Sequence, residues 1–260
     1  MKNLESIIIE LKSVIKQAGS LAMEIYNTDF DVDYKDDNSP VTIADKKCEG
    51  LIIDAISILT PDIPIYGEET FDKNTIIADK FWLIDPIDGT KSFVKKDNLF
   101  TVNIGLVENN KPVLGLVYEP QNDELYVGST LGVFKNDVPI SVKKMQDEII
   151  IASNGQLEKL EKFQTLLGDL KVKDYLKLTS SIKICRVAEG VADLYPRFGY
   201  TSEWDTAAAH AILKYAGGNI ITYDKSELSY GKENLLNHKF IYVYGDKNSV
   251  KLLDNIKEQA

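Results

Sequence analysis

The sequence is short of the residues on which several catalytic chemistries depend. Its 260 residues include only two cysteines, Cys48 and Cys185, and two histidines, His210 and His238. Two histidines cannot build a His-rich zinc site, and two distant cysteines form no CxxC pair. We therefore expect both thiols to be buried in a reducing compartment, His210 to pack in the core and His238 to lie at the surface.

Signatures of other enzyme classes and of membrane insertion are also missing. No GxSxG, GxGxxG or GxxxxGK[ST] occurs, which removes the motif support for a serine hydrolase, a Rossmann dehydrogenase or a P-loop NTPase. No run approaches about 18 uncharged apolar residues, and the N-terminal stretch MKNLESIIIELKSVIK mixes charges into a helical apolar pattern. We expect no integral membrane segment, no signal peptide and a cytoplasmic protein, with peripheral association at the inner membrane left open.

The charge balance narrows the class of partner. Lys and Arg number 30 against 40 Asp and Glu, a net charge of −10. A surface of this sign repels polyanions and argues against binding of a nucleic acid polymer. A small phosphorylated ligand remains possible because bound metal cations invert the local sign. The length corresponds to one or two domains.

The first half of the chain predicts helices followed by a sheet. Residues 2–26 carry apolar side chains at helical spacing, and a second helix is predicted over 43–59, ending before Pro61. Residues 31–40 between them are polar and turn-like. Turn residues then separate five apolar runs, a pattern that predicts an antiparallel meander of IPIYG, KFWLID, TVNIGLV, PVLGLVYEP and ELYVGS.

From about residue 145 strands and helices alternate, which favours an α/β lobe. We predict strands at EIIIAS, DYLKLT, VADLYP, NIITY and FIYVYG, and helices over 156–167, 182–190, 205–216 and 247–258. The predicted class is α/β overall, with an α+β lobe at residues 1–145 packed tightly against an α/β lobe at residues 146–260.

The segment FWLIDPIDGTKSF, residues 81–93, carries the strongest chemical signal. Its apolar residues predict a buried strand that ends at Asp85, because Pro86 has no N–H for a continuing ladder. Asp88 follows three residues later, and two such close carboxylates are unfavourable unless a cation lies between them. Oxygen ligands favour Mg²⁺ or Mn²⁺, and a helix opening at Gly89 would offer N–H groups to an anion. The alternative is an ordinary Asp-Pro turn with an Asp helix cap.

Three further segments place acidic residues at the ends of predicted elements. They are YGEET with Glu68, VTIAD with Asp45 and WDTAAA with Asp205. Each has a plain structural interpretation as well: Glu68 as a solvated loop charge, Asp45 as compensation of a helix dipole, and Asp205 as a helix cap. Their occurrence together with residues 81–93 favours a functional interpretation of the set over four separate structural ones.

The set VTIAD, GEE, DPIDGT and WDTAAAH, in this order and at this wide spacing, resembles the lithium-sensitive, magnesium-dependent phosphomonoesterase superfamily. That superfamily includes inositol monophosphatases, fructose-1,6-bisphosphatases and bisphosphate nucleotidases, and the resemblance covers about residues 5–245. It implies a layered αβαβα sandwich of the inositol monophosphatase and fructose-1,6-bisphosphatase type, inhibition by lithium, and two or three Mg²⁺ ions. The metal ligands that it implies are Glu68, Asp85, the carbonyl of Ile87, Asp88 and Asp205.

The segments SSIK, VAEG, ADLYPR and FTVN look like those of bacterial 3′(2′),5′-bisphosphate nucleotidases. This resemblance implies removal of the 3′-phosphate of adenosine 3′,5′-bisphosphate, a by-product of sulfate activation, by a metal-activated water, giving AMP and phosphate. The implied catalytic residues are Asp45, Glu68 and Thr90. The implied substrate-binding residues are Glu68, Ile87, Asp88, Gly89, Thr90 and Asp205, with Ser181, Lys183 and Arg197 on the nucleotide side.

Two alternatives stay open on the sequence alone. One is an inositol monophosphatase or broad sugar phosphatase of the same superfamily. The other is a non-catalytic regulatory protein that kept the fold. The sequence also leaves open the oligomeric state, the number of metals used in turnover, and the preference between adenosine 3′,5′-bisphosphate and its sulfated precursor.

Overall fold

The structure is a computed structural model that describes residues 3–35, 38–97, 99–155, 170–238 and 240–255. The α-helices in these ranges are α1 Leu4–Tyr26, α2 Ile43–Leu59, α3 Thr90–Lys95, α4 Ile182–Ala188 and α5 Ala207–Ala216. The strands are β1 Val32–Tyr34, β2 Pro40–Thr42, β3 Ile65–Gly67, β4 Lys80–Asp88, β5 Thr101–Glu108, β6 Lys111–Glu119, β7 Glu124–Ser129, β8 Gly132–Lys135, β9 Val138–Pro139, β10 Glu148–Ser153, β11 Lys171–Lys177, β12 Leu194–Phe198, β13 Asn219–Thr222 and β14 Phe240–Tyr244.

Two main sheets form the framework. The first has seven strands in the order β3-β4-β5-β6-β7-β8-β9, and the second has five in the order β11-β10-β12-β14-β13. Strands β4 to β9 pair antiparallel with their neighbours, as the meander prediction requires. The prediction is wrong for IPIYG, because β3 pairs with β4 in parallel. A parallel pair needs a crossover connection, and the chain between β3 and β4 supplies one.

The two sheets alternate with helices in layers. Helices α1 and α2 cover one face of the first sheet in a core around Trp82. Helices α4 and α5 lie between the sheets in a core around Ile212. Phe81 and Trp82, neighbours on β4, enter opposite cores because side chains alternate along a strand. The far face of the second sheet packs against Leu252 and Leu253 of a 3₁₀-helix. This order confirms the predicted αβαβα sandwich, whereas the division at residue 145 stays a prediction.

Three glycines bring α5 into backbone contact with the first sheet. Gly105, Gly115 and Gly128 pair in register across β5, β6 and β7, and we call them the glycine stripe. A Cβ at Gly115 would lie 1.9 Å from the carbonyl oxygen of Ala208, and one at Gly128 would lie 2.4 Å from the Cα of Ile212. No side chain fits in such a gap, so only glycine allows the helix to lie this close.

Several local predictions need correction. Residues 31–40 are not only turn, because β1 pairs antiparallel with β2. Strands β8 and β9 were not predicted; the exposed β9 has only two residues, too few to show an alternating pattern. The predicted helix over 247–258 is a 3₁₀-helix over Lys247–Asn255, and the helix predicted over 156–167 lies outside the described residues. Other predicted elements differ by no more than three residues at either end.

Both cysteines are buried, His210 is in the core and His238 is exposed, as predicted. Among the residues described, no helix is both long and apolar enough to cross a bilayer. The His210 ring is held on both sides: Nδ1 lies 2.9 Å from the Tyr230 hydroxyl and Nε2 lies 2.7 Å from Oδ1 of Asn219. Burial lowers the pKa of His210 to about 4.

This buried imidazole predicts a pH-dependent loss of stability. The unfolded chain binds a proton at His210 near pH 6.5, whereas the folded protein binds it only near pH 4. Stability is therefore present above about pH 6.5 and is lost as pH falls toward 4, by about 3 kcal/mol. We expect His210→Gln to remove this part of the dependence of the free energy of unfolding on pH. Urea unfolding at pH 7 and at pH 4.5 measures it, with the exposed His238→Gln as the matched control. Equal flattening in both variants would contradict the explanation.

Candidate active site

A β-bulge turns two carboxylates in the same direction. Asp85 pairs with Asn103 and Asp88 pairs with Thr101, so β4 has one more residue than β5 between these pairs. The bulge accommodates Pro86, whose missing N–H would interrupt a regular ladder. Asn103 and Thr101 lie on one face of β5, and their partners Asp85 and Asp88 therefore share that face. The predicted strand end at Asp85 is wrong, but the two carboxylates do converge.

The acidic side chains meet at this bulge. Carboxylate oxygens of Asp85, Asp88 and Asp205 all lie within 4.8 Å of one another. Glu68 lies close enough to them that its charge raises the pKa of Asp85 and of Asp205. The Glu68 N–H also donates to the carbonyl of Ile84 on β4. The structure thus brings together the four acidic ligands that the sequence predicts, from three segments far apart in the chain.

Asp205 lies on a turn just before α5 and does not cap that helix. The helix begins at Ala207, its N-cap is Thr206, and the Asp205 carboxylate accepts the Ser202 N–H at 2.8 Å. Buried Asn237 supports this turn, because its side chain donates to the carbonyl of Ser202 at 2.8 Å and to the hydroxyl of Thr206 at 2.9 Å. The helix-cap interpretation of Asp205 is therefore wrong.

Glu68 is presented by a turn that rests on a second, buried carboxylate. Glu49 on α2 is 1% exposed and accepts the Glu69 N–H at 3.0 Å. A Cβ at Gly67 would lie 2.4 Å from the Glu49 carboxyl carbon, so only glycine leaves room for this group beneath the turn. Glu49 was not identified from the sequence, where it reads as an ordinary acidic residue on a helix.

Asp45 has two separate partners. Its Oδ2 accepts hydrogen bonds from the N–H and the hydroxyl of Thr42, which forms a capping box at the start of α2. Its Oδ1 lies 3.4 Å from the Thr90 hydroxyl, which also lies 3.0 Å from the carbonyl of Ile87. The structural and the functional interpretations of Asp45 are thus compatible.

The turn after Asp88 allows α3 to begin beside the carboxylates. Gly89 has a φ of +97°, a left-handed conformation that L side chains rarely adopt, and is the N-cap of α3. A Cβ there would also lie 2.9 Å from the carbonyl oxygen of Leu99. The N–H groups that open a helix have no partner within the helix. The N–H groups of Gly89 and Thr90 lie at the start of α3, and their binding of the phosphate stays a prediction.

Lys35, a residue that the sequence did not single out, ion-pairs with the acidic turn. Its ammonium lies 2.7 Å from an oxygen of Glu68 and 2.7 Å from an oxygen of Glu69. Burial alone would lower the pKa of Lys35, but the two glutamates together raise it. Lys35 is therefore a cation at the site, and it partly neutralises Glu68.

The predicted nucleotide-side residues lie near the same carboxylates. Ser181 is buried, and its N–H donates to Oδ2 of Asp88. Lys183 is 5% exposed and stands 5.2 Å from the ring centre of Tyr195, and burial lowers its pKa to about 8 despite attraction by Asp88 and Asp205. The buried Nε of Arg197 has no hydrogen-bond partner among the described residues.

The electrostatics of the cluster fit a divalent cation. Withdrawal from water is the first cause that raises the pKa of Asp85 well above its usual range, followed by repulsion from Glu68, Asp88 and Asp205. The same two causes raise the pKa of Asp205. Withdrawal from water also raises the pKa of Asp88, although Lys183 and the Ser181 N–H oppose the rise. A cation among these oxygens relieves the repulsion, and an all-oxygen ligand set suits Mg²⁺.

Comparison with known proteins identifies the family of this chain. The inositol monophosphatase family matches residues 3–256. The chain belongs to this family. The 3′(2′),5′-bisphosphate nucleotidase CysQ of Buchnera aphidicola is 39% identical over 225 residues, which cover 83% of this chain and 84% of that protein.

Solved structures of the inositol monophosphatase family have the same fold. CysQ from Bacteroides thetaiotaomicron, a bacterial member of the family, superposes with a TM-score of 0.78 at 34% identity, over 94% of this chain and 99% of its own. The inositol monophosphatase from Anabaena superposes with a TM-score of 0.78 at 25% identity, over 98% and 96% of the two chains. These findings confirm the predicted family and fold.

Proposed function

We propose that this protein is a metal-dependent phosphomonoesterase that removes the 3′-phosphate of adenosine 3′,5′-bisphosphate, giving AMP and phosphate. The convergence of Asp85, Asp88 and Asp205, with Glu68 beside them, is the observation that carries the phosphatase assignment. The name of the relative from Buchnera aphidicola and of the protein from Bacteroides thetaiotaomicron supports the nucleotide substrate. A non-catalytic role is disfavoured, because each predicted acidic ligand is in place.

The residues that would hold Mg²⁺ are Glu68, Asp85, Asp88 and Asp205, with the carbonyl of Ile87. When bound, two or three such ions would activate water and neutralise the charge of the transferring phosphoryl group. Two features of the fold would hold these ligands in position for the ions. The bulge aligns Asp85 with Asp88, and the turn before α5 adds Asp205.

The chain also supplies groups that orient the attacking water and accept its proton. The Thr90 hydroxyl has one proton, which it can donate either to the Asp45 carboxylate or to the Ile87 carbonyl at one time. The lone pairs of the Thr90 oxygen stay available to accept a hydrogen bond from a water. Asp45 or Glu68 would accept the proton as the water oxygen forms its bond to phosphorus in line with the 3′-oxygen. The bond between phosphorus and the 3′-oxygen then breaks with its electron pair on that oxygen, which leaves as the 3′-hydroxyl after taking a proton from solvent. The carboxylic acid returns its own proton to solvent.

Phosphate and nucleotide would contact different parts of the site. The N–H groups of Gly89 and Thr90 would receive the phosphate to be removed. Lys183 and Arg197 would lie toward the rest of the nucleotide, and the unpartnered Nε of Arg197 is the kind of buried donor that an anionic ligand satisfies. We keep the cytoplasm as the proposed location of the enzyme.

The proposed activity is tested by phosphate release from a substrate panel at saturating Mg²⁺. We expect adenosine 3′,5′-bisphosphate to be hydrolysed with a higher kcat/KM than inositol 1-phosphate. Titration of Li⁺ at fixed Mg²⁺ should inhibit the reaction. A clear preference for inositol 1-phosphate would remove the nucleotide assignment and leave the phosphatase class. Turnover that needs no divalent cation would contradict the proposed site itself.

An inositol monophosphatase or broad sugar phosphatase is the second candidate, which the similarity to the Anabaena enzyme favours. Substitution of Lys183 separates the two. Because Lys183 is a buried cation near the carboxylates, Lys183→Ala should lower kcat/KM for the nucleotide by about 10- to 100-fold, the loss of one charge-assisted hydrogen bond. A small phosphate ester should lose much less. Lys80→Ala, which removes a surface ion pair with Glu108, is the matched control. Equal losses on both substrates would argue against a nucleotide-specific role.

A further inference from the structure

Two segments that are far apart in the sequence are joined by side-chain hydrogen bonds next to Asp88. Thr101 and Asn103 belong to the FTVN segment on β5, and Ser181 belongs to the SSIK segment at the start of α4. All three side chains are buried, with exposures of 0%, 1% and 3%. The Thr101 and Ser181 hydroxyls are 3.0 Å apart, the Ser181 hydroxyl lies 2.8 Å from Oδ1 of Asn103, and Nδ2 of Asn103 lies 3.3 Å from Oδ2 of Asp88.

The chemistry of these groups fixes the direction of every hydrogen bond. An ionised Asp88 can only accept, so the contact from Asn103 must come from its NH₂ group. The Asn103 oxygen is then an acceptor, and Ser181 must donate its proton to it. The Ser181 oxygen in turn can only accept from Thr101. The result is a chain of hydrogen bonds, each donating toward Asp88, that runs from Thr101 through Ser181 and Asn103. We call this chain of hydrogen bonds the relay.

The relay ends on the same carboxylate oxygen that receives the Ser181 N–H. Two donors on Oδ2 of Asp88 fix the rotation of that carboxylate. One donor comes from the first sheet and the other from the start of α4, a helix that lies between the two sheets. The orientation of Asp88 therefore depends on the position of α4 relative to β5.

We propose that Asn103 and Ser181, completed by Thr101, are positioning residues that hold the Asp88 carboxylate in the orientation that a divalent cation requires. This inference rests on the proposed role of Asp88 as a metal ligand. The Ser181 hydroxyl then serves Asp88, and contact with the nucleotide is left to Lys183 and Arg197.

The test measures Mn²⁺ binding directly, by the loss of the free-ion signal in electron paramagnetic resonance, in the intact protein without substrate. Asn103→Ala should weaken Mn²⁺ binding on the order of 10- to 100-fold, the usual effect of removing an outer partner of a metal ligand. Ser181→Ala should weaken it less and Thr101→Val least, in the order of the relay. Ser181→Thr keeps the hydroxyl and should restore most of the affinity.

A structural role alone would give a different pattern. The Asn103→Ala, Ser181→Ala double variant should bind Mn²⁺ no more than about 2-fold more weakly than Asn103→Ala, because both changes act through one carboxylate. Ser129→Ala is the matched control, since it removes a buried hydroxyl that accepts the Leu131 N–H in the same sheet. It should leave Mn²⁺ binding unchanged.

The outcomes separate this inference from the proposed function. If Asp88→Asn loses Mn²⁺ affinity but folded Asn103→Ala does not, the relay is overturned and the proposed site stands. If Asp88→Asn binds Mn²⁺ like the wild type, the proposed metal site fails. Should Asn103→Ala not fold, Ser181→Ala and Thr101→Val decide: a lower Tm with unchanged Mn²⁺ affinity would overturn the inference.

Discussion

Replacing Asp88 by asparagine is expected to lower turnover on the order of 10³-fold while the protein stays folded. The loss should exceed the 10- to 100-fold typical of an outer partner, because Asp88 itself would contact the cation. Asparagine keeps an oxygen that can accept from Ser181 and Asn103, so the relay has an acceptor in the variant. Steady-state phosphate release across a Mg²⁺ series measures the effect on turnover and on the Mg²⁺ requirement.

The stability of the same variant should change in the opposite direction. Asp88 repels Asp85 and Asp205 in the metal-free protein, and removing its charge relieves that repulsion. We expect the Tm without metal to be unchanged or higher, and the rise in Tm on adding Mg²⁺ to shrink. Asp54→Asn, on an exposed position of α2, is the control. Retained turnover in Asp88→Asn would refute the assigned metal role.

The second large effect is expected at the glycine stripe. A Cβ at Gly115 would lie 1.9 Å from the Ala208 carbonyl oxygen, which belongs to the helix backbone and cannot move as a side chain can. Gly115→Ala should therefore lower the free energy of unfolding by about 3 kcal/mol, the upper part of the range for overpacking. This corresponds to a fall in Tm of roughly 6–12 °C for a chain of this size.

The same substitution should also disturb the geometry of the proposed metal site. Asp205 lies two residues before α5, so lifting the helix off the sheet carries this ligand away from Asp85 and Asp88. We expect weaker Mn²⁺ binding in Gly115→Ala alongside the loss of stability. Gly50→Ala is the control, because Gly50 is exposed on α2 with open space around it, and alanine there should stabilise by about 0.5–1 kcal/mol. An unchanged Tm in Gly115→Ala would show that α5 can shift to make room for the added Cβ, and would contradict the prediction.

Much of the framework was readable from local patterns. The 3.6-residue stripe of α1 and the acidic Asp45 in the first turn of α2 are signals that need no tertiary information. The four acidic segments stand out because they occur together at the ends of predicted elements, and their order resembles that of a known superfamily. The structure then placed Asp85, Asp88 and Asp205 within one small volume.

What the sequence did not reveal depends on contacts between distant residues. The parallel pairing of β3 with β4 is decided by how the whole sheet assembles, since a three-residue strand carries little pattern of its own. Glu49, Asn103 and Asn237 look like ordinary polar residues until their neighbours are known. Pro86 predicts the end of its strand, a rule that holds for regular ladders, but a β-bulge accommodates the proline here.

Asp45 has a structural role beside the catalytic role proposed for it, because one oxygen accepts the Thr42 N–H at the start of α2 while the other faces Thr90. A descendant that has lost catalysis would still benefit from an acid at residue 45, since Asp45 completes the capping box with Thr42 at the start of α2. Retention of this residue is therefore a weak criterion for deciding whether a homologous sequence is still active. Glu68 sits on a turn and starts no helix, so its replacement is the more telling sign of a degenerate copy.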